Sequence, residues 1–255
     1  MSETSPRTSP APLETPAPEL LRRLLDLEPR APLRAVADRV TFSWPEDDPR
    51  WIVKRTTGDH PREAWYDRLH GAGGRSPGRR EYENLAALSA GGFPVPRPVG
   101  WTETGRGAPG PRRSLVVMER VPHEETLRDR LRAGGDPEAR RWLGPVADLV
   151  AGLHGAGWYH RDLYLQHLVP TPDGALVLLD VGRARRQGGV RRRWFVKDLA
   201  ALLHSAPGTL ARSWRVRFLA AYLARRGIAG RAETRRWAHR VERKRRRLAA
   251  HVPRE

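Results

Sequence analysis

The chain of 255 residues carries 47 lysines and arginines against 29 acidic residues, a net charge of +18, with 39% hydrophobic residues and no cysteine. The absence of cysteine excludes disulfides, zinc-thiolate centres and thiol nucleophiles, while the apolar share suffices for a real core in one large domain or two lobes. No apolar run approaches the ~20 residues of a membrane-spanning helix, and the start, "MSETSPRTSPAPLETPAPE", lacks the apolar centre of a signal peptide, so the reducing cytoplasm is the expected compartment.

Residues 1–17 are rich in Pro, Ser and Thr and are expected to be disordered. "PELLRRLLDLEP" then reads as a short helix. From about Arg34 to Val121 the pattern is strand-like, with "RAVADRVTF", "RWIVKR", "PVGWTE" and "RSLVVMERV" bounded by Gly and Pro. One helix interrupts them, "GRREYENLAALSAGG", ending on a glycine pair. From about Glu125 helical periodicity dominates, in "ETLRDRLRAGG", "VADLVAGLHGAG", "VKDLAALLHSA", "TLARSWRVRFLAAYLARRG" and a basic terminal stretch. The expectation is an α+β chain with a tail over 1–17, a small β-rich lobe with one helix over 18–121 and a larger helical lobe over 122–255.

Only three of the basic residues are lysines, and one of them, Lys54, ends the apolar strand "WIVK". A chain that writes arginine almost everywhere keeps lysine where a compact ammonium on a slim stem is needed. The expected partner is a carboxylate on the following helix. Glu81 lies four and seven residues before Leu85 and Leu88 and so shares the inward face, whereas Glu83 lies on the stripe of Ala86, Ala87 and Ala90; Glu81 is preferred, with Glu83 in reserve.

The segment "WYHRDLYLQHLVPTPDGALVLLDVGR", from Trp158 to Arg183, places Asp162 and Asp180 at either end of two short apolar runs. The Pro-Asp-Gly between the runs marks a turn, so a hairpin brings the two acids to one cleft. One carboxylate beside an acceptor hydroxyl and another on the metal that bridges nucleotide phosphates is the arrangement phosphoryl transfer needs. This order of parts resembles the protein-kinase-like fold.

Together "HRDLYLQHLV", "LLDVGRAR" and "RRRWFVKDLAALLHSA" resemble the bacterial lipopolysaccharide core kinases of Kdo/WaaP type, InaA-like members included. The resemblance implies a bilobal protein-kinase-like fold and ATP-dependent phosphorylation of a sugar hydroxyl, Kdo or heptose, in the lipopolysaccharide inner core. It implies ATP and Mg2+, with the protein peripheral on the cytoplasmic face of the inner membrane and a core or lipid A precursor glycan as acceptor. Carried over by residue, Asp162 orients the acceptor hydroxyl and takes its proton. Lys54, Glu81 and Glu119 belong to the nucleotide site, Asp180 binds the metal, Asp198 braces the catalytic loop and His160 packs within it. His167 stands five residues after Asp162, where kinases have Asn, and is open to metal ligation, a phosphate hydrogen bond or simple packing.

Departures from the kinase pattern are equally legible. No glycine-rich loop precedes Lys54, since "RVTFSWPEDDPRW" contains no glycine, so the phosphate cover is rebuilt or missing. No Ala-Pro-Glu follows Asp180; a basic loop stands there instead, and Arg183, Arg191, Arg192 and Arg193 are expected to bind an anionic glycan. From Arg231 to Glu255 ten basic residues face three acids, and this terminal helix is expected to serve a separate step, holding an anionic membrane surface. No nucleic-acid partner is expected, because no reading motif accompanies the charge. A kinase-fold phosphotransferase with a protein or other small-molecule acceptor, or a non-catalytic pseudokinase, remains as the alternative.

Overall fold

The computed structural model describes residues 16–58, 65, 74–105, 112–186 and 192–250. Residues 1–15 of the tail expected to be disordered lie outside them, as does Arg191.

Five antiparallel strands build the first lobe: β1 (Arg34–Val36), β2 (Arg39–Trp44), β3 (Trp51–Thr57), β4 (Pro98–Glu103) and β5 (Arg113–Glu119), in the order β1-β2-β3-β5-β4. β5 is an interior strand and its "LVVM" run is buried on both faces. Leu115 and Val117 join Phe42, Val53 and Val99 in a small core that helix α1 (Pro18–Asp26) closes with Leu21, Leu24 and Leu25. Val116 and Met118 point the other way, into the main core shared with α2 (Pro77–Ala90) and the second lobe. The same two-residue alternation along β3 sends Val53 and Arg55 toward α1, and Lys54 toward the opposite face. Arg55 donates to the Leu25 and Leu27 carbonyls at 3.2 and 2.5 Å, satisfying acceptors that the end of α1 leaves open.

The segment read as one strand, "RAVADRVTF", is a hairpin: β1 pairs with β2 across Ala37 and Asp38, and the Thr57 N–H donates to the Asp38 carbonyl at 2.8 Å. The turn contains no glycine or proline to announce it. α2 starts at Ser76, whose Oγ accepts the Arg79 N–H at 3.3 Å. It crosses β5 at Gly78, where a β-carbon would lie 2.6 Å from the Leu115 carbonyl oxygen, so only glycine permits this close seat.

The second lobe contains α3 (Leu127–Gly155), the short strands β6 (Trp158–Tyr159), β7 (Leu168–Pro170), β8 (Leu176–Leu178) and β9 (Arg185–Arg186), then α4 (Arg192–Ser205), α5 (Arg212–Arg225) and α6 (Arg231–Ala249). The two helical segments read between 125 and 157 both lie within α3, as two helices separated by non-helical backbone at Gly135. Val146, Val150 and Leu153 of α3, Leu199 and Leu202 of α4, Phe218 and Tyr222 of α5, and Trp237 and Val241 of α6 fill the main core. β7 and β8 form a hairpin with Leu168 opposite Leu178, closed where the Thr171 N–H meets the Ala175 carbonyl at 3.0 Å. Asp162 and Asp180 flank that hairpin. The chain adopts the α+β, bilobal layout, with the cleft between the sheet and the helical lobe.

Candidate active site

The cleft, of about 580 Å³, is lined on its sheet side by Lys54 and Glu81 and on its helical side by Asp162, His167, Asp180 and Arg183. Lys54 Nζ lies 2.6 Å from Glu81 Oε1 and 3.0 Å from Asp180 Oδ1, so one ammonium ties β3, α2 and the loop after β8 together. Glu83 faces away and pairs with Arg79 and Arg75 at 2.8 and 3.1 Å. Burial works against the Lys54 charge, but Glu81 and Asp180 outweigh it and hold its pKa above that of a free lysine. The Lys54 charge in turn holds the Asp180 carboxyl far below the usual carboxylate range, so Asp180 stays ionised at physiological pH.

Asp180 sits in the left-handed region (φ 58°), which aspartate tolerates better than most residues. α2 fixes the loop that follows it. Asn84 Nδ2 donates to the Val181 and Ala184 carbonyls at 2.8 and 3.0 Å, and Arg80 Nε donates to the Gly182 carbonyl at 3.1 Å. A β-carbon at Gly182 would come within 3.0 Å of Glu81 Oε2, so this glycine allows α2 to lie against the loop.

Two consecutive residues of α4 shape the catalytic loop. Asp198, fully buried, accepts the N–H groups of His160 and Arg161 at 2.6 and 2.7 Å and faces His154 Nε2 at 3.4 Å. Lys197 Nζ donates to the Arg161 carbonyl. Arg161 itself has φ 75°, an unfavourable conformation for a side-chain-bearing residue, and persists because both its N–H and its carbonyl are held. The residue after this constrained position is Asp162. Its Oδ2 accepts from Arg183 Nη1 at 2.7 Å, and its Oδ1 lies 3.9 Å from Lys197 Nζ. Burial lowers the pKa of Lys197 against the pull of Asp162, and burial likewise keeps His154 and His160 in their neutral forms. His160 donates from Nε2 to the Leu179 carbonyl at 3.1 Å and so links the catalytic loop to the strand before Asp180.

His167 hydrogen-bonds through Nδ1 to the Asp162 carbonyl at 2.9 Å; since a carbonyl only accepts, Nδ1 carries the proton. In the neutral ring Nε2 then carries the lone pair, and it faces Asp180 Oδ2 at 3.8 Å. A carboxylate and an imidazole presenting lone pairs to one another suit a cation between them. Magnesium takes one or two carboxylates and completes its shell with phosphate and water oxygens, so the Asp180 carboxylate fits it; imidazole nitrogen suits it less well. Among the described residues no cluster of three or more metal-ligating side chains occurs, so any such ion draws most of its ligands from bound phosphates and water.

Some residues singled out in the sequence stand outside this cleft. Glu119 ends β5 paired with Arg97 at 3.0 Å and is not among the residues lining the cleft. Arg183 does reach Asp162, but Arg192 and Arg193 are on the first turn of α4 and open onto a separate groove; Arg192 pairs with Glu233 of α6 at 3.0 Å. Among the described residues no glycine-rich loop covers the cleft, and the β1–β2 hairpin borders it through Arg34, Asp38 and Arg39. The sequence reading missed Lys197, although it is another of the three lysines and the argument applied to Lys54 extends to it unchanged.

Residues 34–222 match the family described as "Lipopolysaccharide kinase (Kdo/WaaP) family". The chain is 32% identical over 160 residues to the lipopolysaccharide core heptose(I) kinase WaaP of Pseudomonas aeruginosa, covering 58% of this chain and 59% of that protein. To the protein of the same description from Escherichia coli it is 30% identical over 139 residues, covering 50% and 52%. The chain thus spans between half and three-fifths of the length of these curated relatives. A solved structure, "WaaP in complex with acyl carrier protein", superposes with a TM-score of 0.68 at 26% identity, over 92% of this chain and 98% of that one. Since the matched segment runs from β1 into α5 and contains both walls of the cleft, the chain belongs to the lipopolysaccharide kinase (Kdo/WaaP) family.

Proposed function

We propose that this protein is an ATP-dependent kinase that phosphorylates a sugar hydroxyl of the lipopolysaccharide inner core, heptose being the sugar named for both curated relatives. One observation carries the reading: the Lys54–Glu81 pair on one wall of the cleft meets Asp180 on the other, with Asp162 on the loop beside Asp180. In this reading Lys54 grips the nucleotide phosphates and Glu81 keeps it extended toward them. Asp180 and, less favourably, His167 hold Mg2+, which when bound neutralises charge on the phosphates. Arg183 occupies Asp162 Oδ2 and leaves Oδ1 to the acceptor. There Asp162 orients the hydroxyl and receives its proton as the oxygen bonds to the γ-phosphorus and the bond to the ADP oxygen breaks. Arg34 and Arg39 at the mouth of the cleft supply the positive charge that backbone amides of a glycine loop supply in other kinases. The acceptor being a membrane glycolipid, the reaction belongs at the inner face of the cytoplasmic membrane with the protein held peripherally; no described helix is long and apolar enough to cross a membrane.

Incubation with ATP, magnesium and core oligosaccharide released from lipid should add one phosphate to the sugar, read by mass spectrometry. Folded protein that binds ATP yet transfers phosphate to neither a heptose- nor a Kdo-containing acceptor would overturn the reading. Lys54→Arg should lower kcat/KM by about a hundredfold, because a planar fork cannot sit between Glu81 and Asp180 as a point charge does. Turnover equal to wild type would remove Lys54 from the phosphate site.

A further inference from the structure

α6 carries Arg240, Arg243, Lys244 and Arg247, whose spacing of three, four and seven residues sets them on one helical face. With Arg192, Arg193 and Lys197 of α4 they line one open groove of about 950 Å³, room for several sugar units rather than a lone ion. Three of the cations elsewhere on α6 are matched, Arg236 by Glu233 and Arg245 and Arg246 by Glu242, while Arg231 and Arg235 have no carboxylate partner among the described residues. In the groove, Arg193, Arg240, Arg243, Lys244 and Arg247 have no carboxylate partner among the described residues. Trp194, between the two α4 arginines and Lys197, has Arg193 and Lys197 over its ring at 5.1 and 5.8 Å. Like charges gathered on one face repel, so this surface is poised for an anion.

The position of Lys197 decides which anion. Lys197 lines the groove and its ammonium lies 3.9 Å from Asp162 Oδ1, so the groove adjoins the acceptor end of the cleft, away from the Lys54 end. Arg192 and Arg193 and the basic terminal helix, expected from the sequence to serve separate steps, meet here in one surface. We infer that the groove between α4 and α6 is a subsite for phosphate or carboxylate groups carried by the acceptor glycan, next to the sugar whose hydroxyl meets Asp162. This rests on the acceptor reading above and extends it from the reacting sugar to its neighbours.

The test uses the full-length protein with Arg240, Arg243, Lys244 and Arg247 all replaced by Gln, and separately Arg193→Gln. The acceptor is soluble core oligosaccharide, offered in its phosphorylated form and after phosphatase treatment. Wild type should favour the phosphorylated form by about tenfold or more in kcat/KM, with a preference that fades as salt rises. The fourfold variant should lose most of that preference and its salt dependence, and Arg193→Gln should lose part of it. The phosphorylated oligosaccharide should also raise the unfolding temperature of wild type and not of the fourfold variant. A variant that keeps the preference, or that loses activity equally on both forms, overturns the inference while leaving the kinase reading in place. So does a variant that keeps the preference but no longer binds anionic vesicles, which would make this face a membrane surface. Absence of transfer by wild type to either form removes the kinase reading and the groove with it.

Discussion

Asp162→Asn should reduce phosphoryl transfer by about a thousandfold while leaving magnesium-ATP affinity nearly unchanged, and Asp180→Asn should lose both. The two carboxylates are alike in chemistry and differ in what surrounds them. Asp162 is met by Arg183 and Lys197 on the acceptor side, so removing its charge removes the proton's destination and nothing that touches nucleotide. Asp180 faces Lys54 and His167, so its amide would present a weaker oxygen to a cation and leave the Lys54 ammonium with Glu81 alone. Calorimetry of magnesium-ATP binding with each variant separates the roles. Equal losses of affinity would sink the division of labour.

Asp198→Ala should have the largest effect on stability. It strips the acceptor from two buried N–H groups and from His154 at once, and breaking such a buried charge-assisted set costs about 3–5 kcal/mol. For a chain of this size that lowers the unfolding temperature by about 10 °C. Asp198→Asn retains one carbonyl oxygen and should fall between Ala and wild type. Below the melting range both variants should still transfer phosphate poorly, since Arg161 would relax from its left-handed conformation and carry Asp162 out of place. An Ala variant that melts with wild type would mean the loop is held by something other than Asp198.

The fold was legible where local pattern and burial agree. The "LVVM" run of β5 reads as a strand because both its faces are covered, and the Pro-Asp-Gly turn between β7 and β8 marks the hairpin that sets Asp162 and Asp180 apart. Glu81 was separable from Glu83 by helical phase alone. Other features depend on contacts no local pattern encodes. The β1–β2 turn lacks glycine and proline and is held by Thr57, at the far end of β3. Arg192 and Arg193 follow Asp180 in sequence, but α4 must turn Lys197 and Asp198 toward the catalytic loop, and helical geometry then directs its first turn to α6. Glu119 illustrates the same limit: at the end of β5 it pairs with Arg97 just before β4, a pairing set by sheet order rather than sequence proximity.

The seat of α2 bears on how such an enzyme can be controlled. Protein kinases commonly switch by swinging the corresponding helix outward and back, under the influence of a phosphorylated activation segment. Here an outward swing would strip the Val181, Gly182 and Ala184 carbonyls of Asn84 and Arg80 and pull Glu81 from Lys54 in the same movement. Those losses sum to about 3 kcal/mol or more, which keeps a disengaged helix below about 1% of molecules. On the proposed kinase reading, the Lys54–Glu81–Asp180 site is therefore assembled as soon as the chain folds. The protein's output in the cell should follow how much of it is made and how much acceptor reaches it, with no on-off modification of the chain required.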